Sequence, residues 1–461
     1  MKKLSFILFT LLSLNAFSQD ITGTWYGVID VQGLQLNLVF NIAKSESIFT
    51  ATMDSPDQGV KGVPMLASFE NPNLKLNITA AQIEYNGALN ASNEIIGFFT
   101  QAGTPFPMNL SREKKRLKKP QEPTPPFSYY SEEVKFKNHK DNITLAGTLT
   151  LPNKDSQFPV VVLISGSGPQ NRDSEILGHK TFLVIADYLT RKGIGVLRFD
   201  DRGVAESEGD RAVATSKDFA EDVRAAVGYL KTRKDINPKK IGLIGHSEGG
   251  IIAPLVAAGS KDISFIVLLA GTGMPGDALL LEQSYLVGKS MGLSETVLEE
   301  AKKLNEQIYS LVKNEKNTAE AKKQITEILI TEFGKSPEAK NMTPEQQQAA
   351  VAGEVANISS PWFHYFLTYD PAVSLKNVKC PVLVLNGEKD IQVSSKTNTT
   401  AIKNTLEKSG NKKVTVIEYP NLNHLFQQCT TCTIGEYGTL EETFSPLVLQ
   451  QISDWIGIQV K

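Results

Sequence analysis

The stretch Lys239 to Gly259, KKIGLIGHSEGGIIAPLVAAG, sets one serine between glycines at alternate positions: Gly245, Ser247 and Gly249. A strand-like apolar run precedes it and a helix-like apolar run follows. A strand that turns sharply into a helix brings neighbouring backbone close, so the flanking positions must lack side chains. The turn lifts the serine oxygen clear of the sheet. It also aims the first backbone N–H groups of the helix, beginning with that of Glu248, at a spot where they can hold an oxyanion. Ser247 is thus a candidate nucleophile. The pattern is short enough to arise by chance, so the rest of the chain has to supply the partners.

Serine is a weak nucleophile at its own pKa and needs a base. The chain offers five histidines: His139, His179, His246, His364 and His424. A strand–serine–helix elbow receives its partners in the order serine, acid, histidine. His246 flanks the nucleophile, where its side chain should point elsewhere, and His364 ends a helical insertion. His424, in YPNLNHLF, follows the last strand-like run, so it is the expected base. The acid should follow the strand before it, where PVLVLNGEKDIQVS supplies Asp390, with Glu388 beside it. A carboxylate there orients the imidazole and stabilises the imidazolium. Asp277, Asp200 and Asp201 follow earlier strands and are the rivals. A second oxyanion donor should come from the loop after PVVVLISGSGP. The backbone N–H of Ser167 is the first choice and that of Gly166 the next.

The elements that must position these residues are legible as pattern. From Tyr130 onward, buried apolar strands alternate with amphipathic helices, which predicts a mostly parallel sheet with helices on both faces. About residues 274–366, rich in Lys, Glu, Gln, Ala and Leu at helical spacing, interrupt that alternation once and read as a helical cap over the sheet. Residues 20–112 instead alternate polar and apolar residues in short runs, as in TWYGVIDV and NLKLNITA, separated by turn residues. That is the signature of a small antiparallel β domain. It contains no histidine and no cysteine, so a catalytic role is not expected of it. Its opening, GTWYG, is similar to that of lipocalin-like barrels. Residues 113–127, a basic run passing into prolines, read as an exposed linker, and 128–461 as the second domain.

The motifs LISGSGPQNRD, RFDDRG, GHSEGG, LNGEKD and LNHLF, in this order, resemble those of the α/β-hydrolase superfamily. They are most similar to bacterial secreted serine esterases and to acyl- and prolyl-peptidase-like hydrolases. The resemblance covers about Tyr130 to Lys461. Ala205 stands where the family pattern after Asp-x-Arg-Gly has a second glycine. That loop is structural in the family, and Asp201 with Arg202 is expected there as a salt-bridged support. The resemblance implies an α/β-hydrolase fold, a catalytic triad of Ser247, Asp390 and His424, and an oxyanion hole of the Glu248 and Ser167 N–H groups.

The formal charge is −2 over 461 residues. That argues against nucleic acid or an anionic membrane as the main partner. No apolar run in the body of the chain is long enough to span a bilayer. The first residues, MKKLSFILFTLLSLNAFSQD, combine Lys2 and Lys3, a short apolar core and a small-x-small site at Ala16 to Ser18. They read as a secretory signal of residues 1–18, giving an extracytoplasmic protein that begins near Gln19. Of three cysteines, Cys429 and Cys432 form a C-x-x-C without a second ligand pair, so a loop disulfide is expected rather than a metal site. Cys380 is expected to be a buried apolar residue. The expectation is a secreted serine hydrolase acting on a small carboxylic ester, needing no metal or organic cofactor. An aminopeptidase or dipeptidyl-peptidase is the alternative within enzymes. It would present a cap carboxylate such as Glu282 or Glu300 to the substrate's amine. A noncatalytic binding protein of the same fold is the alternative outside enzymes.

Overall fold

The computed structural model describes residues 20–461, apart from short stretches at 32–33, 47, 57–59, 102, 114–118, 337–338 and 340–341. The signal expected at residues 1–18 lies outside the described residues. The chain divides into two compact units, Met1–Arg116 and Leu117–Lys461.

In the first unit, eight strands pair antiparallel in chain order: β1 (Gly23–Val31), β2 (Leu34–Ser45), β3 (Ile48–Ser55), β4 (Val60–Glu70), β5 (Asn73–Ile78), β6 (Ile83–Leu89), β7 (Ile95–Gln101) and β8 (Thr104–Leu110). Tyr26 and Ser111 exchange backbone hydrogen bonds of 2.8 and 3.0 Å, joining the first strand to the end of the last. Period-two alternation places one side chain in two inside. Trp25, Phe40, Leu74, Tyr85, Ile95 and Phe99 meet there in a single core. The polar tips in this core are satisfied by backbone. The Trp25 indole donates to the Ile21 carbonyl at 2.8 Å, and the Tyr85 hydroxyl lies 3.1 and 3.2 Å from the Ile95 and Met108 carbonyls.

The second unit is built on β9 (Tyr130–Asn138), β10 (Ile143–Leu151), β11 (Phe158–Ile164), a short hairpin β12 (Glu175–Ile176) and β13 (His179–Lys180), β14 (Gly195–Phe199), β15 (Ile236–His246), β16 (Phe265–Leu269), β17 (Val382–Gly387) and β18 (Val414–Tyr419). Apart from the hairpin, these form one sheet in the order β18-β17-β16-β15-β11-β14-β10-β9. The pairs from β14 through β18 are parallel, and β9 and β10 close one side antiparallel. The central strands are apolar on both faces because helices cover both. Val160, Val162 and Ile164 of β11 pack with α2 (Ser216–Thr232) and α3 (Gly249–Ala257). Val161 and Leu163 pack with α1 (Thr181–Arg191) and α12 (Pro446–Gln459).

Between β16 and β17 the alternation is interrupted by α4 (Gly276–Ser290), α5 (Glu295–Asn314), α6 (Thr318–Phe333), α7 (Pro344–Ile358) and α8 (Pro361–Thr368). These helices are the expected cap insertion, and Ile308, Val312, Ile325, Phe363 and Leu367 hold them to one another. α9 (Ala372–Leu375) leads back to the sheet, α10 (Ser395–Lys408) follows β17, and α11 (Ile434–Tyr437) lies between β18 and α12. Among the described residues, no helix is long and apolar enough to cross a membrane.

Within the stretch read as a linker, two side chains are bound to the second unit. Lys119 Nζ lies 2.7 Å from the Leu440 carbonyl and 2.7 Å from His179 Nε2. Gln121 accepts from the Thr443 and Phe444 N–H groups at 2.6 and 3.1 Å and donates to the Phe444 carbonyl at 2.6 Å. The basic and polar composition that suggests solvation serves here to satisfy backbone groups of a loop.

Candidate active site

β15 runs straight into α3 through Ser247, whose φ is +54°. A non-glycine residue rarely occupies that region, and the strain is held here by close packing on both sides. A Cβ on Gly245 would lie 2.0 Å from the Gly249 carbonyl oxygen, and one on Gly249 would lie 2.3 Å from that of Ile164. Only glycine fits at either position. The Ser247 N–H donates to the Leu269 carbonyl at 2.9 Å, which pins the turn to β16.

Asp390 and His424 come from the ends of neighbouring strands, β17 and β18. The Asp390 Oδ2 to His424 Nδ1 distance is 2.7 Å, and both side chains are almost fully buried. The other Asp390 oxygen accepts the Gln392 and Val393 N–H groups, each at 2.8 Å. The carboxylate is therefore fixed before it meets the ring. His246 Nε2 lies 3.0 Å from the His424 carbonyl oxygen, and the two imidazoles are 4.8 Å apart. The residue before Ser247 thus tethers the loop that carries His424. Burial, reinforced by the neighbouring His424, pushes the His246 pKa down to about 3, so this ring stays neutral and donates. Ser247 and His424 make no direct hydrogen bond in this structure. Bonds of that kind commonly tighten only when substrate is bound.

The His424 loop has a second anchor. Asn423 and Gln427 pair through their side chains at 2.9 Å, and Gln427 Nε2 lies 3.0 Å from His179 Nε2 and 2.9 Å from the Glu442 carbonyl. His179 Nδ1 lies 2.9 Å from the Thr443 hydroxyl. His179 Nε2 thus faces the Lys119 ammonium, the Gln427 amide and, at 2.8 Å, the Tyr437 carbonyl, so this edge of the ring is held from three sides. Burial, then the nearby Lys119, pushes the His179 pKa down to about 4.

On the oxyanion side, a Cβ on Gly166 would stand 3.1 Å from the Ser247 Cβ, so the loop after β11 lies directly against the serine. The Glu248 N–H opens α3 beside it. The Glu248 side chain does something that its place in the motif did not announce. It is 3 % exposed, and its Oε1 accepts from the Ser216 hydroxyl at 2.6 Å and the Trp362 indole at 2.8 Å. Burial raises its pKa. Trp362 stacks on Phe366 with ring centroids 5.2 Å apart, so α8 of the cap is fastened to the residue after Ser247.

The rival groups are engaged elsewhere. Asp277 pairs with Lys313 at 2.5 Å, and Asp200 with Arg172 at 2.6 Å. Glu388, His364 and His139 are exposed. Arg202 does not pair with Asp201 as expected. It binds Asp222 and Asp141, each at 2.7 Å, while Asp201 pairs with Arg211 at 3.1 Å. Of the cap carboxylates, Glu300 is exposed, and Glu282 accepts from the Thr397 hydroxyl at 3.2 Å. Cys429 and Cys432 are joined in a disulfide, so the sulfurs beside Glu436 are not free ligands. The Glu436 carboxylate accepts the N–H groups of Thr430, Thr431 and Cys432 instead.

Residues 179–324, which include Ser247, match the family described as serine aminopeptidase, S33. Residues 364–431, which include Asp390 and His424, match the C-terminal region of the BAAT / acyl-CoA thioester hydrolases. The chain is similar to the esterase EstD of Thermotoga maritima, with 29% identity over 282 residues, covering 61% of this chain and 58% of that one. The chain thus spans little more than half of that relative. An uncharacterized 31.7 kDa protein of Escherichia coli is 24% identical over 264 residues, covering 56% of this chain and 81% of its own. Among solved structures, the esterase Pf2001 of Pyrococcus furiosus has a TM-score of 0.42 at 16% identity, covering 72% of this chain and 93% of that one. Est1E of Butyrivibrio proteoclasticus has a TM-score of 0.41 at 16% identity, covering 71% and 98%. With this strand order, the elbow between β15 and α3, and the two partial family matches lying on that sheet, the second unit has the α/β-hydrolase fold.

Proposed function

We propose that the protein is an exported serine hydrolase that cleaves small carboxylic esters through an acyl-enzyme. The observation that carries this reading is the buried 2.7 Å contact between Asp390 and His424, on a loop tied to the residue before the strained Ser247. In the proposed cycle, Ser247 Oγ attacks the ester carbonyl while His424 Nε2 takes its proton. Asp390 holds the Nδ1–H tautomer and stabilises the imidazolium. The N–H groups of Glu248 and Ser167 receive the negative charge on the carbonyl oxygen. His424 then hands its proton to the departing alcohol. Water, activated by the same ring, releases the acid. An esterase among the relatives supports the ester reading over the peptidase one. So does the cap, whose Glu300 is exposed rather than presented from a buried wall. Export rests on the composition of residues 1–18.

The test is a fluorophosphonate label on purified protein, followed by a panel of p-nitrophenyl esters and aminoacyl nitroanilides. Labelling at Ser247 with a higher kcat/KM for short esters supports the reading. Labelling with a preference for the amides replaces the esterase by an aminopeptidase. No labelling at Ser247 overturns it.

A further inference from the structure

The loop Ser165–Gln170 carries the proposed second oxyanion donor, and one side chain holds both of its ends. The Ser165 hydroxyl donates to Asp201 Oδ1 at 2.6 Å, and the Gln170 N–H donates to Asp201 Oδ2 at 3.1 Å. The Asp201 N–H returns a bond to the Gln170 carbonyl at 3.1 Å. Arg211 Nη1 approaches Oδ2 at 3.1 Å and is the cation that faces this carboxylate. The clasp is well enclosed, since the Asp201 side chain is only 12% exposed.

What the clasp controls is next to the chemistry. Gly166 stands against Ser247, and the Ser167 N–H donates to no described group. An oxyanion donor works only within about 2.7–3.1 Å of the developing charge. A shift of the loop by a fraction of an ångström therefore changes the transition state more than the ground state.

We propose that Asp201 is a positioning residue for the reaction: by clasping Ser165 and Gln170 it fixes the Ser167 N–H over the oxyanion formed at Ser247. This rests on the reading of the site as a serine hydrolase. Asp201 touches no reacting atom and acts through the loop. Its closest neighbours in sequence serve other ends, since Asp200 binds Arg172, and Arg202 binds Asp222 and Asp141.

The experiment compares Asp201→Asn and Ser165→Ala with the full wild-type chain. It measures kcat and KM for p-nitrophenyl acetate, affinity for an alkyl boronic acid that forms a tetrahedral adduct on the serine, and melting temperature. Removing an oxyanion donor outright costs about 10²–10³ in kcat, so a loosened one should cost roughly 10–100-fold in Asp201→Asn. KM should stay within about threefold, and boronate affinity should fall with kcat. Ser165→Ala removes one contact and should show the same split at several-fold. Its small change keeps the test decisive if Asp201→Asn fails to fold. Wild-type turnover that is not lost in Ser247→Ala would sink the hydrolase reading itself. Serine-dependent turnover with kcat and boronate affinity unchanged in the folded variants would overturn the clasp alone, as would a rise in KM at constant kcat.

Discussion

Among the described residues, the two eight-stranded sheets use their polar residues in opposite ways. In the first unit, buried polar tips answer to backbone nearby, as Trp25 does to Ile21 and Tyr85 to Ile95 and Met108. In the second, buried polar side chains answer to one another across long stretches of sequence, as Asp390 does to His424 and Glu248 to Trp362. The cause is topological. A meander of antiparallel strands joins neighbours by short turns and has no edge where distant loops must meet. A parallel sheet sends each connection over a face and brings the carboxyl ends of its strands to one rim. Only the second arrangement gathers a serine, an acid and a base from three strands.

Substitutions at the rim break the comparison most sharply. Ser247→Ala and His424→Ala should each lower kcat for a p-nitrophenyl ester by several decades with the circular dichroism unchanged, and Asp390→Asn by about 10⁴ or somewhat less. Near-full activity in Asp390→Asn, with loss in Asp277→Asn, would move the acid to the other strand.

Separating the units comes next in size. A chain of residues 117–461 should hydrolyse a small soluble ester within about threefold of the full chain. A chain beginning at Ser128 lacks Lys119 and Gln121, which bind the loop before α12. We expect its melting temperature to fall by several degrees, since each lost hydrogen bond of this kind is worth roughly 1 kcal/mol. Equal stability of the two shortened chains would show the strap to be incidental, and an inactive but folded 117–461 would show that the first unit completes the site.

Acid should also tell the units apart. His179 and His246 are held below the ordinary histidine range, at about 4 and about 3. Between pH ~6.5 and those values the unfolded chain binds more protons than the folded one, so stability is present above the window and lost as pH falls through it. Asp201, raised by burial to about 7, contributes the opposite slope, so the difference between wild type and His179→Gln isolates the histidine. That difference should shrink as pH falls from 6.5 to 4 in calorimetry. The first unit has no histidine and should show no such slope. A constant difference would mean that His179 titrates normally. The smallest effect belongs to the first unit. Tyr85→Phe should cost about 1 kcal/mol of its stability, read from its denaturant midpoint, and leave ester turnover unchanged.

The α/β-hydrolase fold and the cap were legible because their signals are local. A glycine pair around a serine, an apolar run ending in GEKD and leucines at helical spacing each declare themselves within a dozen residues. Part of the meander was less visible, since β4 buries little beyond Met65 and so lacks a clear alternation. The supports of the site were not legible. Trp362 reaches Glu248 across 114 positions, and Gln427 reaches His179 across 248, with no period or motif to announce either. Asp201 was noticed for its neighbour Arg202, yet the fold assigns them to different partners because successive residues after β14 point in different directions.

The strap at Lys119 and Gln121 has a consequence for the order in which the protein can be made. Its partners lie more than 300 positions later, at Leu440 to Phe444. During synthesis the first unit has all of its strands by Leu110 and can fold while the rest is still emerging. The second unit cannot, because the strap and β17, β18 and α12 wait for the last part of the chain. Translation therefore produces a finished first unit while the second is still incomplete, and nascent chains treated with protease should show residues 20–113 protected well before any of the rest.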